Sequence, residues 1–152
     1  SAELAERSKS PKITKKHVKL AQSKIEIDRI IEVVRTLPTQ SKLILLAVLL
    51  QERYNKKTGT SGAITTGEVY EVYKDLCRKT RTDVLTQRRI ADLISELDML
   101  GIITARVISK GRYGRTRDIK TSSLDDIMKI LKEDEVFEEL ANYKIRGQTR
   151  LM

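Results

Sequence analysis

The segment TQSKLILLAVLLQERY, residues 39–54, restricts the fold more than any other, because it is apolar almost all the way round a helix. Its side chains at Leu43, Leu46, Ala47 and Leu50 form one stripe, and further leucines fill much of the opposite side. A helix of this kind is buried, since other elements must cover it on several sides. The sequence therefore predicts a helical bundle built around this segment.

The preceding segment reads as one long amphipathic helix. Thr14 is its predicted N-cap and Pro38 stops it. Apolar residues recur along it at roughly helical spacing. These residues are Val18, Ala21, Ile25, Ile30, Ile31 and Val34.

Two further helices follow, each with a capping signal. Ala63 and Ile64 can form a short strand, and Thr65 then stands at capping-box spacing from Glu68, which predicts a helix over roughly residues 66–79. Thr86 caps the next helix and Gly101 ends it. One face of this last helix is apolar. That face consists of Ile90, Leu93, Ile94, Leu97 and Leu100.

Residues 102–109, IITARVIS, switch to residue types that favour strands, and residues 117–121, RDIKT, can return as the partner strand after a glycine-containing tip. Residues 122–143 then predict one acidic amphipathic helix. The predicted fold class is mainly α with a small β-hairpin. Its order is that of a winged helix-turn-helix preceded by a long helix and followed by a C-terminal helix.

Positive charge is concentrated in the middle of the chain. Thirty Lys and Arg against 21 Asp and Glu give a net charge of +9. Residues 37–121 hold sixteen of these basic side chains and nine acidic ones, whereas residues 122–152 are net acidic. We divide the chain into a connecting helix over 1–36, a binding unit over 37–121 and an acidic helix with a tail over 122–152. The middle unit suits an anionic partner.

The residue inventory argues against several classes of protein. With one cysteine, Cys77, and one histidine, His17, the chain can form neither an internal disulfide nor a Cys/His zinc cluster. His17 also has no nucleophile beside it, so we expect no catalytic residues. No apolar run approaches the ~20 residues that cross a bilayer. We therefore expect a cytoplasmic protein with no metal site and no membrane contact.

The helix after Thr86 is the predicted reader of DNA. In a helix-turn-helix, the first turn of the last helix enters the major groove, where side chains reach base edges. That turn holds Gln87, Arg88 and Arg89 directly after Thr86. On a helical wheel Arg88 points away from the core, which makes it the best candidate to contact a base. Asp92, further along the outward side, favours end-on entry.

The hairpin tip is the second predicted contact. Its two glycines allow a sharp turn near a DNA backbone, and its basic side chains suit the negative potential of a narrow groove. Tyr113 could stack on a sugar or simply cover the hairpin. Thr65 and Thr66 are further candidates for phosphate contacts. The predicted wing residues are Lys110, Gly111, Arg112, Tyr113, Gly114, Arg115 and Arg117.

A family resemblance is carried by TGEVYEVYKDLC (66–77), LTQRRIADLISELDMLGII (85–103) and SKGRYGRTRDIK (109–120). These segments resemble the C-terminal winged-helix domain of archaeal replication initiators, relatives of the origin recognition complex and the cell division cycle loading factor. Residues 2–38 resemble the end of the AAA+ lid that leads into this domain. The resemblance covers nearly the whole chain through Thr121.

The resemblance implies binding of double-stranded DNA at replication origins, as a step toward loading the replicative helicase. It matches residues 86–89 to the start of the recognition helix in the major groove, and residues 110–115 to the wing tip in the minor groove. Family members bind ATP and Mg through an N-terminal AAA+ module, yet this sequence has no G-x-x-x-x-G-K-[ST] loop. We therefore expect an excised piece that needs no cofactor. The helicase and other initiator subunits are further partners to consider.

Two other functions stay open. A winged-helix transcriptional regulator would use the long first helix and the acidic last helix as a dimer interface. A winged helix that contacts proteins, such as the helicase, would tolerate charge reversal of Arg88 and the wing.

Overall fold

The computed structural model describes residues 11–60, 62–109, 115–121, 124–143 and 145. Helices and one antiparallel pair of strands follow one another along these residues. In chain order they are α1 (Pro11–Thr36), α2 (Thr39–Thr58), α3 (Thr66–Thr80), α4 (Gln87–Met99), β1 (Ile103–Ser109), β2 (Arg115–Thr121), α5 (Leu124–Leu131) and α6 (Glu135–Leu140).

Helix α2 is the centre of the core. Every residue from Leu43 to Leu50 is at most 2% exposed. Helices α3, α4 and α5 and strand β2 all contact α2. The sequence-based prediction of a buried central helix is therefore confirmed for residues 43–50, and the other elements are arranged around these turns.

Both helices of the helix-turn-helix begin at the predicted caps. The Thr65 hydroxyl accepts the backbone N–H of Glu68 at 3.2 Å, and the Glu68 carboxylate accepts the backbone N–H of Thr65 at 3.3 Å. The Thr86 hydroxyl accepts the backbone N–H of Arg89 at 3.2 Å. Gly101, with φ +79°, follows α4 in the left-handed conformation that glycine adopts at least cost. Local sequence signals thus set the limits of α3 and α4.

The two strands form the wing, a hairpin that we define as β1 and β2 with their connection. Their register pairs Ile103 with Thr121 and Val107 with Arg117. The predicted strand at Ala63 and Ile64 is wrong, because the two residues form no strand in the structure. A single hydrogen bond, from the Ile119 N–H to the Ile64 carbonyl at 3.0 Å, stands in its place. The chain enters the α3 capping box at Thr65, directly after this bond.

The base of the wing is tied to α2 by Glu52. Its carboxylate accepts both the backbone N–H and the hydroxyl of Thr121, the last residue of β2. Burial raises the pKa of Glu52, and the two Thr121 donors oppose this shift. The wing therefore leaves the core from a fixed point.

Helix α1 departs from its predicted pattern in its N-terminal part. The described helix already includes Pro11, so Thr14 is not its N-cap. Val18 and Ile25 are 50% and 68% exposed, while Ile30 and Val34 are buried. Of the turns from His17 onward, whose side chains the structure describes, only the C-terminal ones pack on the core. Regular spacing identified the helix correctly but could not tell which turns would be covered.

The C-terminal segment forms two helices and not the single one predicted. Helix α5 ends at Leu131, and Asp134 caps α6 by accepting the backbone N–H of Val136 at 3.0 Å. Aspartate favours a cap over a helix interior, because its short side chain competes for backbone donors. The break lets Phe137 and Leu140 reach the core.

The end of α4 also differs from its prediction. Leu100, predicted to face the core, is 39% exposed.

Candidate nucleic-acid interface

Two tyrosines of α3 hold the turn that leads into α4. The Tyr73 hydroxyl donates to the Gln40 side-chain oxygen at 2.6 Å and accepts the Leu85 N–H at 3.0 Å. The Tyr70 hydroxyl donates to the Leu85 carbonyl at 2.9 Å. Leu85 comes directly before the cap residue Thr86, so this network fixes where α4 begins.

Tyr73 is completely buried, and burial raises its pKa to about 12. The hydroxyl therefore keeps its proton, and its hydrogen bond to Gln40, throughout the physiological pH range. Tyr70 is half-buried and its ring stacks on that of Tyr73, with 6.0 Å between the ring centroids. Tyr73 thus belongs to the core, and Tyr70 lies at the edge of the same core.

The first turn of α4 presents its polar residues to solvent. Gln87, Arg88 and Arg89 are exposed, whereas Ile90, the next residue, is fully buried. Further along the helix, Asp92 and Glu96 are exposed as well. Positive charge therefore lies at the N-terminal end of α4 and negative charge toward its C-terminal half, as an end-on approach to a phosphate backbone requires.

An open cleft of about 610 Å³ lies between this helix end and the wing. We call it the helix–wing cleft. Elements distant in sequence form its walls: the start of α3, the first half of α4, and both strands. Its lining residues are Thr66, Gly67, Gln87, Arg88, Ala91, Val107 and Arg117.

The structure brings four of the predicted DNA-binding residues to this cleft. Gln87 and Arg88 come from α4, Thr66 from the start of α3, and Arg117 from β2. Arg89 is exposed but does not line the cleft. The Thr65 hydroxyl is already engaged with Glu68 in the capping box.

The predicted wing-tip residues Lys110, Gly111, Arg112, Tyr113 and Gly114 lie outside the described residues. Arg115 opens β2, and its backbone is paired with Ser109 of β1. The two strands leading to the tip are thus placed beside α4, and the assignment of the tip itself stays a prediction.

Arg117 joins the wing to α4. Its guanidinium donates to the backbone carbonyl of Ala91 at 2.9 Å, and the Ser95 hydroxyl donates to the same carbonyl at 3.2 Å. The sequence had suggested Arg117 only as a contact to DNA. The bond to Ala91 also gives it a structural role, because it sets how far the hairpin stands from the helix.

We expect Arg117→Ala to lower the free energy of unfolding by roughly 1 kcal/mol, the usual net loss for one hydrogen bond from a partly buried donor. Urea unfolding followed by circular dichroism would measure it. Arg106→Ala, at an exposed position on the opposite face of the same hairpin, is the matched control and should change stability by less than about half as much. Equal losses of unfolding free energy in the two variants would contradict a stabilising role for the hydrogen bond between Arg117 and Ala91.

Three residues of the cleft were missed by sequence reasoning: Gly67, Ala91 and Val107. Small or apolar residues carry no charge signal, so a search for basic side chains passes over them. For Val107 a usable signal existed, since the alternation of β1 puts it on the same face as the buried Ile103.

Other kinds of site find no support in the described part of the chain. It contains no group of three or more His, Cys, Asp or Glu side chains arranged to hold a metal ion. Among these residues, no helix has the length and apolar character needed to cross a membrane. In the helix–wing cleft, basic side chains from α4 and from the wing lie together.

A helix-turn-helix made by α3 and α4, with a hairpin directly after it, defines a winged-helix domain. The model of the family described as "CDC6, C terminal winged helix domain" matches residues 32–130. The chain belongs to this family, as the resemblance in its motifs suggested.

The most similar relatives include two archaeal proteins. The chain is 51% identical over 146 residues to ORC1-type DNA replication protein 1 of Methanosarcina mazei, covering 95% of this chain and 34% of that protein. It is 47% identical over 154 residues to the ORC1-type DNA replication protein of Pyrococcus abyssi, covering 100% of this chain and 36% of that protein. The chain thus spans about a third of the length of these relatives.

Among solved structures, the chain is similar to the Aeropyrum pernix ORC1 protein in complex with DNA. The TM-score is 0.72 and the sequence identity 40%, covering 91% of this chain and 35% of that one. The Drosophila ORC structure bound to DNA has a TM-score of 0.53 at 19% identity, which supports the fold alone.

Proposed function

We propose that this domain binds double-stranded DNA at replication origins, with the first turn of α4 in the major groove and the wing in the adjacent minor groove. The observation that carries the proposal is the helix–wing cleft, where Arg88 and Arg117 from separate elements line one open concave surface. The similarity to an ORC1 protein in complex with DNA supports it.

The shape of the site suits a duplex. Only the N-terminal end of α4 is basic, so the helix would enter the groove by that end, and Asp92 and Glu96 would stay away from phosphates. The wing lies beside α4, where a neighbouring groove would run. Arg88 is exposed at the first helical turn, the position from which a helix-turn-helix reads base edges.

The release of counterions from DNA would supply much of the binding affinity. Each phosphate neutralised by Lys or Arg frees counterions, so the logarithm of the binding constant should fall linearly with the logarithm of salt concentration. Binding by the chain alone would need no nucleotide, since the contacts proposed come from α3, α4 and the wing.

The experiment is fluorescence anisotropy of the chain with an archaeal origin duplex and with a shuffled duplex of equal length, at several salt concentrations and without ATP. We expect binding that weakens steeply with salt on both duplexes, and an advantage for the origin duplex that persists at high salt. Equal binding to both at all salt concentrations would remove the origin-reading part of the proposal.

Two results would favour the other functions. Absence of binding to either duplex would overturn the proposal and favour a winged helix that contacts proteins. A stable dimer in solution, bound to a palindromic site and not to origin DNA, would favour a transcriptional regulator.

A further inference from the structure

Among the wing residues whose side chains the structure describes, Val107 is the apolar one that the core leaves largely exposed. Along the inner face of β1, Ile103 is buried, Ala105 is half-buried and Val107 is 62% exposed. Successive residues of a strand point to opposite faces, so these three lie on one side. The apolar face of the hairpin therefore continues past the edge of the core.

The neighbours of Val107 form an apolar floor to the helix–wing cleft. Ala91 contributes a methyl group, and Gly67 has no side chain. A Cβ atom at Gly67 would meet nothing closer than the Thr65 hydroxyl at 3.9 Å, so the space before this glycine is open. Arg88 and Arg117 lie at the same cleft and supply positive charge beside the floor.

This combination fits a sugar–phosphate unit better than a bare anion. A phosphate alone needs donors and positive charge, and an exposed valine adds nothing to its binding. A nucleotide unit of DNA carries its charge on the phosphate and presents C–H groups on the deoxyribose. Burying those groups against Val107 and Ala91 would remove apolar surface from water on both sides.

The place of the cleft in the fold agrees with this occupant. If α4 and the wing enter adjacent grooves, the strand that separates those grooves must pass between the two elements. The cleft lies between them. This step rests on the proposed function, since it takes the groove assignment from there.

We propose that the helix–wing cleft seats the deoxyribose–phosphate backbone of one DNA strand, with Val107 packing on a deoxyribose while Arg88 and Arg117 flank the phosphates. Val107 is thereby a DNA contact that acts without charge. Its contribution to affinity is independent of ionic strength, unlike that of the arginines.

The test is Val107→Ala, which removes two methyl groups and adds no polar atom. Losing this apolar contact should weaken binding to both origin and shuffled duplexes roughly tenfold, with an unchanged salt slope. Val136→Ala is the matched control, because Val136 is 50% exposed on α6, away from the cleft. It should bind like the parent chain.

Each outcome overturns a different part of the argument. Parent-like binding by Val107→Ala, with a clear loss in Arg88→Ala, would overturn the proposed contact and leave the DNA-binding function standing. Parent-like binding by both variants would overturn the function as well. A tenfold loss that disappears when every thymine of the duplex is replaced by uracil would place Val107 on a base methyl group, which overturns the deoxyribose assignment.

Discussion

Arg88→Ala should weaken binding to an origin duplex by about 1–3 kcal/mol and reduce the preference for that duplex over a shuffled one. The magnitude is that of losing a bidentate contact between arginine and a base. Arg88 is exposed at the first turn of α4 and lines the helix–wing cleft, so its removal leaves the core intact. Parallel anisotropy titrations on the two duplexes would measure both changes.

Arg89→Ala is the control for this prediction. Arg89 has the same charge and a similar exposure, but it does not line the cleft. We expect it to weaken origin and shuffled duplexes by the same small factor. If Arg88→Ala behaved like Arg89→Ala, or lost affinity equally on both duplexes, Arg88 would not read bases.

Tyr73→Phe should lower the free energy of unfolding by about 1–3 kcal/mol. The change leaves the Leu85 N–H without its acceptor and the Gln40 oxygen without its donor, and both residues are half-buried. Each of the two groups that loses its partner adds to the cost, which is about 1 kcal/mol for an ordinary hydrogen bond. Because Leu85 precedes the α4 cap, DNA affinity should fall too, although no side chain of the cleft changes. Urea unfolding would give the stability and anisotropy the affinity.

Tyr70→Phe provides the matched comparison. Tyr70 is half-buried and its hydroxyl makes one hydrogen bond, to the Leu85 carbonyl, where the Tyr73 hydroxyl makes two. Tyr70→Phe should therefore lower the free energy of unfolding by less than about 1 kcal/mol. Similar losses in the two variants would show that Tyr73 contributes no more than an ordinary hydrogen bond.

The pKa of Tyr73 adds a pH signature. The folded value of about 12 lies above the ordinary value near 10, so the protonated side chain favours the folded state. That stability is present in full below about pH 10 and is lost as pH rises toward 12. The stability difference between the parent chain and Tyr73→Phe should therefore narrow above pH 10. A stability difference that stayed constant up to pH 12 would contradict the raised pKa of Tyr73.

The parts of the fold that were predicted correctly depend on local signals. Capping at Thr65 and Thr86 fixed two helix starts, because each cap involves residues only three apart. The burial of α2 followed from its apolar surface alone. The winged-helix order came from the succession of these elements with the change to strand residues after Gly101.

The errors concern long-range packing. Whether Ile64 pairs as a strand or through a single bond depends on the distant Ile119. The exposure of Val18 and Ile25 depends on where α1 leaves the core. The basic residues of the cleft were found through their charge. Gly67 and Ala91 carry no such signal and were identified only when the fold brought them to the cleft, whereas the alternation of β1 could have indicated Val107.

The length of α1 beyond its packed turns affects how far its N-terminal end can move. Its C-terminal turns are held by the burial of Ile30 and Val34 and by the ion pair of Arg35 with Glu133 at 3.3 Å, which adds orientation more than energy because both side chains are exposed. From Pro11 to Ile30 the helix extends about 28 Å at 1.5 Å per residue. A rotation of about 10° about the packed turns would therefore move the Pro11 end by roughly 5 Å.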